Sequence, residues 1–326
     1  MNVKEASFYT KENKHVQCNL CRHNCIIPEG KTGICGVRKN IEGKLYTLTY
    51  PKPTALHVDP IEKKPLFHFL PFTEVFSIGS FGCNFKCKFC QNWDISQVVL
   101  ENIRDVPPNE VIKMVHTPSI AYTYNEPTVF YEYAYEIATL ANKKGIKNIF
   151  VTNGYIEEEP LKKIEPILDA ANIDFKAYSK EFYSKLVGAS FDKFLESLKV
   201  WAKTKIWIEF TNLIITDEND KPDQIKAMCE FIKDKFGDQT PLHFTAYYPS
   251  FQLRNPPTPP STLEKAYSIA KDVGLKYVYL GNIPSDKINT YCYNCGELLV
   301  DRINRKLYLT DDKRCPSCGK KQWFVL

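Results

Sequence analysis

The stretch GCNFKCKFCQNW at residues 82–93 decides how this chain folds, and the apolar run VFSIG at residues 75–79 precedes it by a few positions. Cys83, Cys87 and Cys90 form a C-x3-C-x2-C pattern, which places three thiols on a loop that leaves a strand. Three thiolates are one ligand fewer than a closed zinc or iron–sulfur site uses. A [4Fe–4S] cluster on this loop would therefore keep one iron open to a ligand from outside the chain.

In this spacing, with Phe89 directly before the last cysteine, the loop resembles that of the radical S-adenosylmethionine (SAM) superfamily. The resemblance implies a [4Fe–4S] cluster on the three cysteines, with the open iron chelated by the amino and carboxylate groups of SAM. Phe89 and Trp93 are then candidates for stacking beside the adenine of SAM, and packing in the core is the alternative for both.

The composition is that of a globular protein that holds metals rather than disulfides. Of its 326 residues, 44% are hydrophobic and 25% are charged, and no apolar run is long enough to span a membrane. The N-terminus shows no secretory signal. All of the 12 cysteines except Cys229, which we expect in a helical core, stand in ligand-like spacings, so we expect a cytoplasmic location. Metal-bound thiolates would cancel most of the formal charge of +5, so nucleic acid is not indicated as a partner.

A first group of four cysteines lies near the N-terminus. It has the pattern C-x2-C-x3-C-x9-C, formed by Cys18, Cys21, Cys25 and Cys35. Four thiols in a short polar segment predict a small module stapled by a metal. Zinc is the default ion for such a site, and an auxiliary iron–sulfur cluster is the alternative. His15 and His23 stand nearby and could replace a cysteine, although solvent-exposed bystanders are the simpler interpretation.

A second group of four cysteines lies near the C-terminus. It has the pattern C-x2-C-x19-C-x2-C, formed by Cys292, Cys295, Cys315 and Cys318. Two such knuckles joined by a β-rich span are typical of a zinc ribbon or a rubredoxin-like module. We expect zinc rather than iron, and a structural or protein-docking role.

Between these groups the chain alternates between strand and helix patterns. The predicted strands are the apolar runs at 75–79, 119–124, 147–152, 171–175, 205–211, 241–247 and 276–280. Such alternation predicts an α/β fold with a parallel sheet, and the resemblance narrows it to a partial (β/α)6 barrel of the TIM type. We divide the chain into a four-cysteine module at 1–50, a connecting arm at 51–74, the partial barrel at 75–286 and the ribbon at 287–326.

The residues that follow the predicted strands are the candidates for chemistry, because barrel enzymes work at the carboxyl ends of their strands. The second strand ends in YNEP, which resembles the Gly-Gly-Glu-Pro segment that binds the SAM amino group in this superfamily, although both glycines are replaced. The resemblance implies that Asn125 and Glu126 contact SAM; a helix-start glutamate is the alternative. Asn153, after the third strand, is a further candidate ligand of the cofactor.

Asp174 and Lys176 follow the fourth strand and point to one face, toward the barrel interior. An inward pair of charges is costly unless its members pair or contact a ligand. The segment resembles the Asp-x-Lys of activating enzymes for glycyl radical enzymes, whose lysine lies near SAM and substrate; a structural ion pair is the alternative. Those enzymes also carry a histidine near the end of a later strand, where this chain has Tyr247 and Tyr248.

Across nearly its whole length the chain resembles the radical SAM protein of the AmmeMemoRadiSam system, a relative of pyruvate formate-lyase activating enzymes. The resemblance implies that SAM is cleaved by one electron, which a donor such as ferredoxin or flavodoxin supplies. It also implies that the resulting radical abstracts hydrogen from a protein partner. A small-molecule substrate is one alternative. The other is a zinc-dependent scaffold or nucleic-acid adaptor, in which Asp94 or His116 completes the site on the cysteine loop.

Overall fold

The structure is a computed structural model that describes residues 4–326, and its first segment forms two small antiparallel sheets. Their strands are β1 (Lys4–Glu5), β2 (Tyr9–Glu12), β3 (His15–Cys18), β4 (Ile26–Ile27), β5 (Arg38–Ile41) and β6 (Lys44–Thr47). One sheet has the order β1-β6-β5 and the other β2-β3-β4. Glu42 and Gly43 join β5 to β6 with φ angles of 53° and 74°, as a two-residue type I′ hairpin turn requires. The hairpin runs from Arg38 to Thr47.

The connecting arm joins the first segment to the barrel and also forms the edge of the main sheet. Its strand β7 (Ala55–Pro60) pairs antiparallel with β8 (Glu74–Gly79). A short 3-10 turn at Ile61–Lys63 follows β7 and reverses the chain. This segment therefore contributes six residues to the sheet in addition to lying over the barrel.

Seven parallel strands, from β8 onward, form the rest of an eight-stranded sheet. The other six are β9 (Ser119–Tyr122), β10 (Lys147–Thr152), β11 (Ala170–Asp174), β12 (Trp207–Ile214), β13 (Leu242–Ala246) and β14 (Val278–Gly281). Neighbours in sequence are neighbours in the sheet, and β7 and β14 are its two edges, so the barrel is open. Every one of the seven predicted strand runs contains a strand, and the predicted parallel α/β fold is confirmed.

Eight α-helices accompany these strands within residues 4–326, and two of them have proline at the start and glycine after the end. They are α1 (Trp93–Ser96), α2 (Pro108–Met114), α3 (Tyr131–Lys143), α4 (Glu158–Ile164), α5 (Lys180–Phe182), α6 (Phe191–Trp201), α7 (Pro222–Phe236) and α8 (Pro260–Val273). α7 and α8 each begin with a proline, which needs no N–H partner there. Gly237 and Gly274 follow them with φ angles of 97° and 100°, which only glycine adopts without strain.

The core lies between the sheet and these helices. Along α7 the buried positions are Ile225, Met228, Cys229 and Ile232, a spacing that puts them on one face of the helix. The predicted core role of Cys229 is thereby confirmed. Within residues 4–326, no helix combines the length and apolarity that crossing a membrane would need.

The two small modules contact the barrel through different interactions. In the first segment, Arg38 is 2% exposed and pairs with Glu132 of α3, with N–O distances of 3.0 and 3.1 Å. The C-terminal segment forms a three-stranded antiparallel sheet of β15 (Thr290–Tyr291), β16 (Leu298–Asp301) and β17 (Lys306–Leu307). Its last residues pack on the arm, where His68 stacks on Phe324 at a ring separation of 4.0 Å.

Candidate active site

The carboxyl ends of the parallel strands surround a cavity of about 350 Å³, a size typical of small-molecule sites. Nine of the barrel residues that the sequence singles out line this cavity: Cys83, Cys87, Phe89, Cys90, Asn125, Glu126, Asn153, Asp174 and Lys176. They come from the loop after β8 and from the ends of β9, β10 and β11. Parallel strands bring such residues together because their carboxyl ends meet at one edge of the sheet.

The cysteine loop is held by backbone hydrogen bonds rather than by regular structure. The amides of Lys86 and Lys88 donate to the carbonyls of Val187 and Leu186 at 2.7 and 2.9 Å. Leu186 and Val187 belong to a π-helical turn that continues α5. This pairing fixes the loop before any metal binds, because backbone groups taken out of water need partners.

The sulfurs of the loop stand apart in a way that suits a cluster better than a single ion. Within residues 4–326, the one group of three or more metal-ligating side chains whose ligand atoms all lie within 4.8 Å of one another is in the ribbon. A tetrahedral zinc ion, with Zn–S bonds of about 2.3 Å, would draw its thiolates to about 3.8 Å from one another. A cubane places its irons at separate corners and so keeps its thiolates further apart. Neither Asp94 nor His116 lines the cavity as a fourth ligand.

Electrostatics around the loop favour a bound cation or cluster. Burial raises the pKa of Cys87 to about 12, and the nearby Lys176 opposes that rise. Burial also raises the pKa of Cys83, and the Glu126 carboxylate adds to the effect. Thiolates at these positions therefore need the compensating charge that iron supplies.

Glu126 is the best-connected side chain of the cavity. Its Oε1 accepts hydrogen bonds from Thr128 N, Thr128 Oγ1 and Thr152 Oγ1 at 2.6–3.0 Å. Its Oε2 accepts from Asn153 N alone, at 2.8 Å. Burial raises the pKa of Glu126, and these donors oppose the rise. One lone pair of Oε2 thus stays available for a further donor on the cavity side.

The two asparagines differ in what they hold. Asn125 accepts from Ser80 N and donates to Gly82 O, both at 2.9 Å, so its side chain ties the start of the cysteine loop. Asn153 donates to Asn84 Oδ1 at 2.7 Å, and its amide nitrogen lies 3.9 Å from the sulfur of Cys83. Asn153 is therefore the asparagine that approaches the ligand side of the loop.

Asp174 and Lys176 face each other across the cavity wall, with Nζ and Oδ2 2.7 Å apart. Burial would lower the pKa of Lys176, but the charges of Asp174 and Cys87 outweigh it and raise that pKa. The lysine thus stays cationic beside the thiols. The pair satisfies its own charges and also borders the space that a ligand would fill.

The two aromatic candidates lie in different surroundings. Phe89 is buried, lines the cavity and packs on Phe182 at a ring separation of 5.6 Å. Trp93 is 44% exposed and stacks on Phe251 at 5.4 Å, outside the residues that line the cavity. The structure brings Phe89 to the cofactor side and leaves Trp93 at the surface.

Several lining residues were missed by the reasoning from sequence. Tyr124 lines the cavity with a φ of 69°, a left-handed conformation that residues other than glycine rarely adopt, and its hydroxyl donates to Asp59 at 2.7 Å. At the later strands, Thr245 and Asn282 line the cavity, whereas Tyr247 is buried beside it and bonds Leu253 O. The position of Asn282 directly after β14 is the signal that would have found it.

The ribbon cysteines form a closed site. The sulfurs of Cys292 and Cys318 are 3.7 Å apart, and those of Cys295 and Cys315 are 3.6 Å apart. All four lie within 4.8 Å of one another, which could hold a metal ion. These spacings match the edges of a tetrahedron around one ion with Zn–S bonds of about 2.3 Å.

The N-terminal cysteines occupy a separate cavity behind the cysteine loop. Its lining includes Cys18, Cys21, Cys25 and Cys35 together with Arg38 and Asn84. His23 lines it as well; the ring is half-buried and its Nε2 lies 2.8 Å from Asn84 O. His23 is thus a contact between this module and the cysteine loop rather than a solvent-exposed bystander, whereas His15 is exposed on β3.

Comparison with known proteins agrees with this geometry. Residues 77–232 match the model of the Radical SAM superfamily. An uncharacterized protein of Methanocaldococcus jannaschii is 46% identical over 336 aligned residues, which cover 99% of this chain and 100% of that protein. Pyruvate formate-lyase 1-activating enzyme of Escherichia coli strain K12 is 24% identical over 168 residues, 47% of this chain and 66% of that enzyme.

A solved structure supports the same fold. A radical SAM methyltransferase from Sphaerobacter thermophilus superposes with a TM-score of 0.51 at 12% identity, covering 71% of each chain. The chain belongs to the radical SAM superfamily. It is a radical SAM enzyme, and membership implies a [4Fe–4S] cluster and SAM as its cofactors.

Proposed function

We propose that Cys83, Cys87 and Cys90 bind the [4Fe–4S] cluster, that SAM occupies the adjoining cavity, and that the enzyme abstracts hydrogen from a protein partner. The observation that carries this proposal is the common cavity. Three sulfurs without a fourth ligand border the same space as Glu126 and the Asp174–Lys176 pair. An open metal position beside groups that can bind an amino acid is what SAM requires.

When bound by Cys83, Cys87 and Cys90, a [4Fe–4S] cluster would supply the one electron that cleaves SAM into methionine and the 5′-deoxyadenosyl radical used for hydrogen abstraction. The side chains of the protein bind and orient SAM. Oε2 of Glu126 accepts from the ammonium of SAM, Lys176 balances the charge of the thiolates, and buried Phe89 keeps water from the loop. The electron comes from a one-electron donor such as ferredoxin or flavodoxin.

The proposal of a protein partner rests on relatives and on exposed aromatic surface. The relative from Escherichia coli is named for activating another enzyme. In this chain Trp93 is 44% exposed and stacked on Phe251, in the segment that directly follows the cysteine loop. An exposed tryptophan near a site is typical of protein contacts. The narrower resemblance, to the radical SAM protein of the AmmeMemoRadiSam system, stays a prediction.

For the ribbon we propose zinc in a structural role. The support is the sulfur spacing of 3.6 and 3.7 Å and the complete set of four thiols, which leaves no position open for chemistry. The C-terminal segment contacts the arm through the Phe69–Val325 bridge and the start of β12 through the Trp207–Trp323 stack, whereas the cavity lies at the carboxyl ends of the strands. Its contribution to the reaction is therefore support of the barrel.

The decisive experiment is electron paramagnetic resonance of the full-length protein, purified without oxygen and reduced with dithionite. We expect a [4Fe–4S]+ signal that changes when SAM is added, and formation of 5′-deoxyadenosine. The variant Cys83→Ala/Cys87→Ala/Cys90→Ala should lose the SAM-dependent change and the product. Cys229→Ala removes a thiol from the core instead and should keep both. A SAM response that survives the triple variant would refute the site.

The partner is tested separately. The reduced enzyme with SAM is mixed with proteins captured from a cell extract, and mass spectrometry looks for a SAM-dependent mass change in a captured protein. A Trp93→Ala variant should reduce that modification while leaving the slow, uncoupled formation of 5′-deoxyadenosine intact. Modification of small molecules alone, unaffected by Trp93→Ala, would overturn the proposal of a protein partner.

A further inference from the structure

The two four-cysteine sites of this chain differ in how their sulfurs are arranged. In the ribbon all four sulfurs lie within 4.8 Å of one another, but no three sulfurs of the N-terminal group do. The N-terminal sulfurs instead border a cavity that they share with Arg38 and Thr128. The loop of Cys83, Cys87 and Cys90 has the same two properties: its three sulfurs do not all lie within 4.8 Å of one another, and its cysteines line a cavity.

This difference is informative because both sites offer the same number of thiols. A single ion with metal–sulfur bonds of about 2.3 Å needs four sulfurs that converge. A cubane is a larger body, with an iron at each of four corners, and it needs four sulfurs that surround a space. The N-terminal group fits the second kind better, because its four cysteines line one cavity and no three of their sulfurs lie within 4.8 Å of one another.

Arg38 provides an independent indication of an anionic occupant. It is 2% exposed and lines the cavity. Its two terminal nitrogens bond Glu132 and the carbonyl of Ser7 at 2.6–3.1 Å, but its Nε has no partner within the described residues. A buried N–H without an acceptor costs free energy, and a metal centre that carries thiolates would supply the acceptor that this N–H lacks.

The cavity also shares a wall with the active site. Asn84 lines the N-terminal cavity, and the preceding residue, Cys83, lines the catalytic one. Thr128 lines the N-terminal cavity and donates to Glu126 at 2.6 Å. An occupant of the N-terminal cavity would therefore be separated from the catalytic loop by single side chains.

We propose that Cys18, Cys21, Cys25 and Cys35 bind an auxiliary [4Fe–4S] cluster, and not zinc, directly behind the catalytic loop. With four protein ligands such a cluster has no open iron, so SAM does not bind it. The zinc that is the default for four thiols is thereby assigned to the ribbon alone. The proposal concerns cysteines other than those of the catalytic loop and stands or falls independently of the proposed function.

Metal analysis of the anaerobically purified full-length protein tests it. We expect about eight irons and about one zinc ion per chain. The variant Cys83→Ala/Cys87→Ala/Cys90→Ala should retain about four irons, with a [4Fe–4S]+ signal that does not respond to SAM. If the proposed function is wrong but this proposal is right, SAM will not change the spectrum of the wild-type protein, and the triple variant will still retain its iron.

A complementary variant guards against misfolding of the first. Cys18→Ala/Cys21→Ala should lose about four irons, keep its zinc and keep the SAM-responsive signal. Wild-type protein with about four irons and two zinc ions, or with about four irons and an N-terminal site free of metal, would overturn the proposal. So would loss of one zinc and no iron in Cys18→Ala/Cys21→Ala.

Discussion

Among single residues, the important side chains of the site are held in fixed orientations by hydrogen bonds from their neighbours. Glu126 receives four hydrogen bonds from Thr128, Thr152 and Asn153. A carboxylate held in this way cannot rotate, so the one free position on Oε2 has a fixed direction. Preorganised acceptors of this kind bind a cation without the cost of ordering.

Glu126→Gln is expected to weaken SAM binding, because an amide lacks the charge that pairs with an ammonium. A hydrogen bond to a charged group contributes about 1.5–3 kcal/mol, so the dissociation constant of SAM should rise roughly 10- to 100-fold. Equilibrium binding of SAM to the reduced protein measures this. Glu159→Gln, on the exposed side of α4, is the matched control and should bind as the wild type does. Equal affinities of the two variants would contradict the assignment.

Lys176→Met is expected to lower the reduction potential of the catalytic cluster, because it removes a cation beside the thiolates of Cys87 and Cys90. Spectroscopic titration with a reductant measures the potential, and the yield of 5′-deoxyadenosine should fall with it. Lys180→Met breaks an exposed ion pair with Asp192 instead and should leave the potential unchanged. The alternative is that Lys176 serves only to neutralise Asp174. In that case the double variant Asp174→Asn/Lys176→Met would recover the yield of 5′-deoxyadenosine, whereas we expect the yield to stay low.

At the scale of elements, Gly82 is where the N-terminal module contacts the catalytic loop. Its φ is +78°, and a Cβ there would lie 2.5 Å from Val37 Cγ1 and 2.9 Å from the carbonyl of Cys35. The backbone of the module therefore approaches the loop as closely as atoms allow. The cysteine loop and the four-cysteine module form one packed unit rather than two independent ones.

Gly82→Ala is expected to destabilise this contact. Alanine carries a cost of about 1 kcal/mol in the left-handed region, and forcing the neighbours apart adds about 1–3 kcal/mol. Gly145→Ala is the control, because Gly145 has a φ of +72° with nothing within 4 Å. The difference between the two melting temperatures isolates the contact. Similar melting temperatures would show that the N-terminal module accommodates the added methyl group without loss of stability.

At the scale of the whole molecule, the ribbon and the barrel are joined through buried polar groups. His68 is fully buried between them. Its Nδ1 lies 2.5 Å from Trp323 O in the C-terminal segment, and its Nε2 bonds the hydroxyl of Tyr279 on β14. Glu209, His243 and Arg302 surround this position. The junction therefore depends on the protonation state of His68.

The stability of the protein should consequently fall in mild acid. Burial lowers the pKa of His68 to about 3, whereas in the unfolded chain it is about 6.5. Below pH about 6.5 the unfolded chain takes up a proton that the folded protein excludes. The free energy of unfolding is then expected to drop by up to about 1.4 kcal/mol per pH unit until pH approaches 3. Urea denaturation between pH 7 and pH about 4 measures the slope.

His68→Gln can keep hydrogen bonds to both partners but cannot titrate, so it should flatten this slope even where it lowers the stability at neutral pH. His116→Gln, at an exposed position, is the control and should preserve the slope. A slope that is identical in wild type and His68→Gln would assign the acid sensitivity to other groups.

The class of fold and the composition of the site follow from the amino-acid sequence alone. Apolar runs of strand length between helical patterns predict parallel strands, since both periodicities are local properties of the chain. The spacing of Cys83, Cys87 and Cys90 and the position of residues after strands then specify which side chains meet. This is why Glu126 and Asp174, far apart in sequence, could be assigned to one cavity before any coordinates.

The contacts between the N-terminal module, the barrel and the ribbon, and the arrangement of the cysteine sulfurs, depend on tertiary packing. Arg38 meets Glu132 and His68 meets Trp323 because of packing between elements that are 94 and 255 residues apart, and no local pattern encodes such a distance. Tyr124, which has a positive φ, likewise bonds a distant partner, Asp59. The sequence offers four cysteines in each of two groups, but their spacing does not fix where the sulfurs lie. The ribbon sulfurs converge within 4.8 Å of one another, whereas the N-terminal cysteines line a cavity, because the backbone around them determines where each thiol points.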